Sequence, residues 1–183
     1  KPVVYPINSS VNSNATVTIS PTLSYNYYGR TNTLLSVTTP AHGTASISGS
    51  TIIYDPSDSY FGADTLTYTV KDPSTNVQNT STIFVTVNRV APNIVWDAVT
   101  TNSGTAADVF VTTNDVDPYG SSLSAPVITT PPQNGTAVVS GTKIVYTPIA
   151  GFTWQDNFIY SRSSATSGCY LSLTDTALVK VTV

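Results

Sequence analysis

Asn114, Asp115 and Asp117 place three oxygen-bearing side chains within four residues. A hard cation takes such donors: Ca²⁺ wants six to eight oxygens, often from one loop together with backbone carbonyls. Asp97, upstream, could join the set. The same residue types also cap turns by bonding their own backbone. Both readings, a calcium site and a turn, stand at this point.

A second group is aromatic. Tyr25, Tyr27 and Tyr28 cluster in PTLSYNYYGRTNT, and Phe152 and Trp154 share a later loop. Exposed Tyr or Trp rings can stack on sugars or anchor a partner protein. They can equally plug the end of a core. Nucleophilic catalysis lacks parts. His42 is the only histidine, and it lies in a Pro-Ala-His-Gly turn. Cys169 has no obvious base near it, and as the sole cysteine it can pair only between chains. A glycosidase pair would have to be two Asp residues, because glutamate is absent, and no spacing singles one out. The chain is therefore expected to be no enzyme. Calcium is the only cofactor its residues suggest.

Composition narrows the class. Charged residues make up 9% of the chain, and hydrophobic ones 40%. Ser, Thr and Asn carry the polarity, while Val, Ile and Tyr suit half-buried strands. Helix formers are scarce, with no Met and no Glu. Seven basic residues and a net charge of −3 exclude a nucleic-acid surface. No apolar stretch reaches the length of a membrane-spanning helix. A Ser/Thr/Asn-rich β chain with few lysines reads as extracellular or cell-surface, and the start at Lys1 reads as a mature or excised piece of a longer chain.

The elements that must position these residues come twice. PAHGTASISGSTIIYDPSDSYFGADTLTYTV (40–70) returns as PPQNGTAVVSGTKIVYTPIAGFTWQDNFIY (131–160). Gly43, Tyr54, Pro56, Asp64 and Tyr68 reappear 92 residues on as Gly135, Tyr146, Pro148, Asp156 and Tyr160. A repeat of that length is a domain-sized unit used twice, giving modules at 1–89 and 90–183. Each half alternates apolar and polar residues in short segments: Ala15, Val17, Ile19; Leu66, Tyr68, Val70; Ile83, Val85, Val87. Glycine–polar pairs (Gly49–Ser50) supply hairpin turns. About seven strands per module, separated by turn signals, predict two tandem antiparallel β-sandwiches, an all-β fold. Val3–Tyr5 and Ile94–Trp96 are expected as exposed edge strands, open to strand addition. Asp64 and Asp156 are expected to accept backbone N–H bonds and fix a loop.

A Pro before Gly-Thr, a glycine turn, a Tyr-x-Pro strand end, an aromatic-Gly-x-Asp loop and a closing V-x-V strand resemble the tandem cadherin-like, Ig-like repeats of large bacterial surface proteins. The likeness covers both halves. In the second it reaches TTNDVDPYG, similar to that family's Asn-Asp-x-Asp-Pro segment, which strengthens the calcium reading for that module alone. The first module has Thr22-Leu23-Ser24-Tyr25 instead. The resemblance implies a non-catalytic segment of a bacterial surface fibre, stalk or adhesin. Its partners would be neighbouring repeats or identical chains, with filament assembly as a sub-case. The alternatives are a module that binds a glycan or a surface protein, and an accessory domain of a secreted enzyme.

Overall fold

The computed structural model describes residues 1–165 and 171–183. The chain divides into two compact units, Lys1–Val90 and Ala91–Val183. Among the described residues each unit has seven strands.

In the first unit these are β1 (Ile7–Asn12), β2 (Val17–Ile19), β3 (Thr33–Val37), β4 (Gly43–Ser48), β5 (Thr51–Pro56), β6 (Gly62–Lys71) and β7 (Gln78–Asn88). They form a β1-β7-β6-β3 sheet and a β2-β5-β4 sheet. The alternation in the sequence is what closes the sandwich. Ile52 and Tyr54 of β5 point inward and meet Leu66, Tyr68 and Val70 of β6 and Ile83, Val85 and Val87 of β7 in one core. Each such buried side chain contributes about 2 kcal/mol of transfer free energy.

The second unit repeats the plan. Its strands are β8 (Asp97–Thr100), β9 (Ala107–Val109), β10 (Val127–Thr130), β11 (Gly135–Ser140), β12 (Lys143–Pro148), β13 (Gln155–Ser163) and β14 (Thr174–Thr182). The sheets are β8-β14-β13-β10 and β9-β12-β11. Ile144, Tyr146, Phe158, Tyr160, Val179 and Val181 occupy the centre of its core.

Two glycine pairs explain part of the repeat. Gly49 and Gly141 take φ of +62° and +63° at the first central position of a two-residue hairpin, where a side chain would be strained. Gly43 and Gly135 lie so close to the neighbouring strand that a Cβ would fall 2.4 Å from Asp55 O and 2.6 Å from Thr147 O.

One feature differs from a purely antiparallel sandwich. The opening strand of each unit pairs parallel with the closing one, Ile7 opposite Ile83 through Asn12 opposite Asn88, and Asp97 opposite Val179 through Thr100 opposite Thr182. The chain thus enters and leaves each unit at opposite ends. The expected edge strands at Val3–Tyr5 and Ile94–Trp96 are not strands. Both segments are instead tied inward: the Tyr5 and Val95 carbonyls accept from the hydroxyls of Tyr68 (2.8 Å) and Tyr160 (3.2 Å). Among the edge strands, β3 and β10 each carry a register shift, at Leu34/Ser36 and Ile128/Thr130. Such bulges blunt an edge against pairing with another chain.

Candidate functional site

Each unit carries the same internal brace. In the first, Asp64 receives the backbone N–H groups of Ala41, His42 and Thr65 and the hydroxyl of Tyr54 at 2.9 Å. In the second, Asp156 receives those of Gln133, Asn134 and Asn157 and the hydroxyl of Tyr146, again at 2.9 Å. Burial, then the neighbouring carboxylate, pushes both phenols up, so they stay protonated and donate. Burial also acts to raise the Asp156 carboxyl, but its four hydrogen bonds outweigh that and lower it. The brace joins the loop before β4 or β11 to the start of β6 or β13. His42 belongs to it through its backbone, and its ring stacks on Tyr60 at 4.1 Å.

The four residues read as calcium donors sit between β8 and the loop after β9. Asp115 is central. Its Oδ1 accepts from Val95 N at 2.9 Å, and its Oδ2 pairs with Arg162 Nη1 at 3.1 Å. The Asp115 side chain is fully buried and that of Arg162 nearly so. Asp97 accepts from Asn114 Nδ2 (3.0 Å) and from the Tyr160 hydroxyl (3.0 Å). Five acceptor oxygens lie within 3.3 Å of that hydroxyl: Val95 O, Val111 O, Asp97 Oδ2 and both of Asp115. Burial and the two carboxylates hold the Tyr160 phenol well above its ordinary range. Burial raises the Asp97 carboxyl, opposed by Tyr160 and Asn114 and reinforced by Asp115. Asp117 turns away and accepts from Tyr119 N at 2.7 Å, a side-chain-to-backbone turn of the kind Asp favours.

These residues do not fit calcium as they stand. Among the described residues no three His, Cys, Asp or Glu side chains converge on a point that could hold a metal. The oxygens left over, Asn114 Oδ1 and Asp117 Oδ2, are buried without hydrogen-bond partners, but two fall well short of six. The guanidinium of Arg162 supplies the positive charge instead. Reading for carboxylates missed Arg162, although a signal was there. Phe158, Tyr160 and Arg162 continue one inward face of β13, where β6 has Leu66, Tyr68 and Val70. A charge in that register needs a partner.

The aromatic candidates separate. Tyr25, Tyr27 and Tyr28 stand together on the loop between β2 and β3, all exposed, with the last two rings edge to face at 5.5 Å. Trp154 lies in the other unit, just before β13. It is exposed beside a small hollow lined by Thr153, Gln155, Thr182 and Val183. The tyrosine loop is anchored by residues the sequence did not single out. Asn26 Oδ1 accepts from Tyr28 N and Arg30 N, while its Nδ2 donates to Asp72 Oδ1 at 2.8 Å and Ser74 Oγ at 3.0 Å. Hydrogen bonds from the Asn26 amide first, then from Ser74 N and Thr75, hold the Asp72 carboxyl at about 2, against an ordinary 3.8. Cys169 lies outside the described residues.

A family profile described as a bacterial Ig domain matches residues 1–88 and again 88–182. A search of curated proteins found no match. Among solved structures, human protocadherin-24 EC1-2 is 10% identical over 100% of this chain and 97% of its own, with a TM-score of 0.39. Drosophila N-cadherin EC1-4 is 14% identical over 99% of this chain and 49% of its own, TM-score 0.40. An endo-fucoidan hydrolase of glycoside hydrolase family 107, MfFcnA4, is 18% identical over 99% of this chain, TM-score 0.37. The present chain spans 28% of that enzyme's length.

Proposed function

Since the chain belongs to the bacterial Ig domain family in both of its halves, we propose that it is a non-catalytic, extracellular structural segment of a bacterial surface fibre, stalk or adhesin. Its work is mechanical: a spacer that carries tension and projects whatever lies beyond it.

The observation that supports this reading is the parallel pairing of first and last strand within each unit. Tension applied to the two ends of a unit pulls the start of β1 one way and the end of β7 the other. Neighbouring parallel strands pulled so are loaded in shear, with their evenly spaced hydrogen bonds sharing the force. An antiparallel terminal pair would present both ends at one edge and unzip bond by bond. The bulges of β3 and β10 disfavour lateral strand pairing at those two edges.

Antibody raised against the 183-residue chain tests the placement. It is expected to label intact, unpermeabilised cells of the producing bacterium at a distance from the envelope. Label confined to permeabilised cells would overturn the proposal.

A further inference from the structure

We propose that the tyrosine loop of the first unit is a carbohydrate-binding site that takes a neutral saccharide. The proposal goes beyond the spacer role and stands independently of it.

The loop is built to hold exposed rings still. Tyr25 and Thr31 form an antiparallel bridge, and Asn26 N donates to Arg30 O at 2.8 Å. Asn32 N donates to Ser24 O, and Asn32 Nδ2 to Ser24 Oγ, both at 3.0 Å. The Asn26 side chain clamps the tip from within and ties it across to Asp72 and Ser74, in the turn between β6 and β7. Yet Tyr25, Tyr27 and Tyr28 are 73%, 97% and 69% exposed. Fixing large apolar rings in water brings no packing energy to the fold. It does lower the entropy cost of binding something to them.

The three tyrosines line a cavity of about 430 Å³, within the range of ligand sites. Asn32 and Asp72 line it with the three tyrosines. Asn32 is 2% exposed, and its Oδ1 is buried with no hydrogen-bond partner. A buried acceptor left unpaired costs about 1–3 kcal/mol, which a ligand hydroxyl would recover. The charged groups oppose each other: Lys1 lines the same cavity as Asp72. Both Asp72 oxygens are already engaged, by Asn26, Ser74 and Thr75. Alongside these two opposite charges the cavity offers ring faces, phenol hydroxyls and one unpaired amide oxygen. A pyranose is the complement: one C–H-bearing face to lie on a ring, and hydroxyls around its edge.

The test uses the whole chain on an array of neutral glucans, mannans, xylans and galactans, with sulfated and uronate glycans as charged arms. The best neutral oligosaccharide is then titrated by calorimetry. We expect a neutral hit, weakened about tenfold for each of Tyr27→Ala and Tyr28→Ala, at unchanged melting temperature because both rings are exposed. Asn32→Ala tests the buried acceptor. Asn26→Gln tests ring positioning, and is expected to weaken binding while Ser24 and Asn32 keep the loop's base closed. Absence of any neutral hit, binding confined to the charged arms, a hit indifferent to Tyr27 and Tyr28, or tyrosine-dependent capture of a protein with none of sugar would each overturn the proposal.

Discussion

The two units share a scaffold and differ at one end of it, and the difference is chemical. By strand register Asp97 opposite Val179 occupies the place of Ile7 opposite Ile83, and Arg162 opposite Asp175 that of Val70 opposite Asn79. In the first unit this region is apolar: Ile7, Leu23 and Val70 join the core, and the Tyr68 hydroxyl donates to the Tyr5 carbonyl. In the second it is ionic, with Asp97, Asp115, Tyr160 and Arg162 interlocked. The same fold thus tolerates either solution. The parts held in common, the glycine turns and the Tyr–Asp brace, specify the sandwich. The parts that differ are free to take on other tasks.

The largest predicted effect breaks the ionic solution. Arg162→Met should destabilise the second unit by about 3–5 kcal/mol, because it leaves the Asp115 carboxylate buried and unpaired. The first unit's transition in denaturant should not move. Converting the cluster to an apolar one, with Asp97→Ile, Asp115→Leu and Arg162→Val together, should recover most of that loss, since well-packed apolar groups often match a buried ion pair. If the triple variant is no better than Arg162→Met, the equivalence of the two solutions is wrong.

Next in size, Asp64→Ala and Asp156→Ala should each cost about 3 kcal/mol by orphaning several backbone donors, and Tyr54→Phe and Tyr146→Phe about 1 kcal/mol. Equal losses in the two units would confirm that the brace is common scaffold. A large loss in one alone would show that it is not.

A smaller effect distinguishes the units in acid. The Asp72 carboxyl is lowered to about 2 from 3.8. A depressed carboxylate contributes stability that is full above its ordinary value and is lost as pH falls toward the depressed one. The 24–32 loop should therefore loosen between about pH 4 and pH 2, read as amide exchange at Tyr28 and Arg30. Asp72→Asn should remove that dependence. Burial raises the Asp97 carboxyl, so its contribution runs the other way: it is present at low pH and fades as pH rises through the raised value.

The smallest effect is expected from calcium. With Arg162 in place, neither millimolar Ca²⁺ nor a chelator should shift either melting transition. A rise of the second transition with Ca²⁺ would show that Asn114 and Asp117 recruit an ion after all.

Much of the scaffold was legible because it is local. Period-two alternation and glycine at hairpin turns act within a few residues, so the β4–β5 hairpin and the centres of β6 and β7 follow from the sequence, and recurrence at 92 residues carries the hairpin to β11–β12. The parallel terminal strands were not legible, since their pairing joins residues some 76 positions apart, such as Ile7 and Ile83, and leaves no local mark. The candidate sites divide in the same way. The tyrosines and the Asn–Asp cluster stood out by composition. Their determining partners, Asp72 for Asn26 and Arg162 for Asp115, lie 46 and 47 residues distant. The sequence leaves the Asn–Asp cluster open between a calcium site and a turn because the basic residue that meets Asp115 is on another strand.

The central claim, a spacer clamped by parallel terminal strands, is tested most directly by pulling single chains from their ends. Two separate unfolding events are expected, each releasing roughly 300 Å of contour length, about that of 90 extended residues. Proline placed in turn at Ser9 and Ser10 should abolish the force peak of the first unit at one of the two positions, because one of two successive residues in β1 must donate to β7. Extension without resolvable peaks, or peaks indifferent to both prolines, would contradict it.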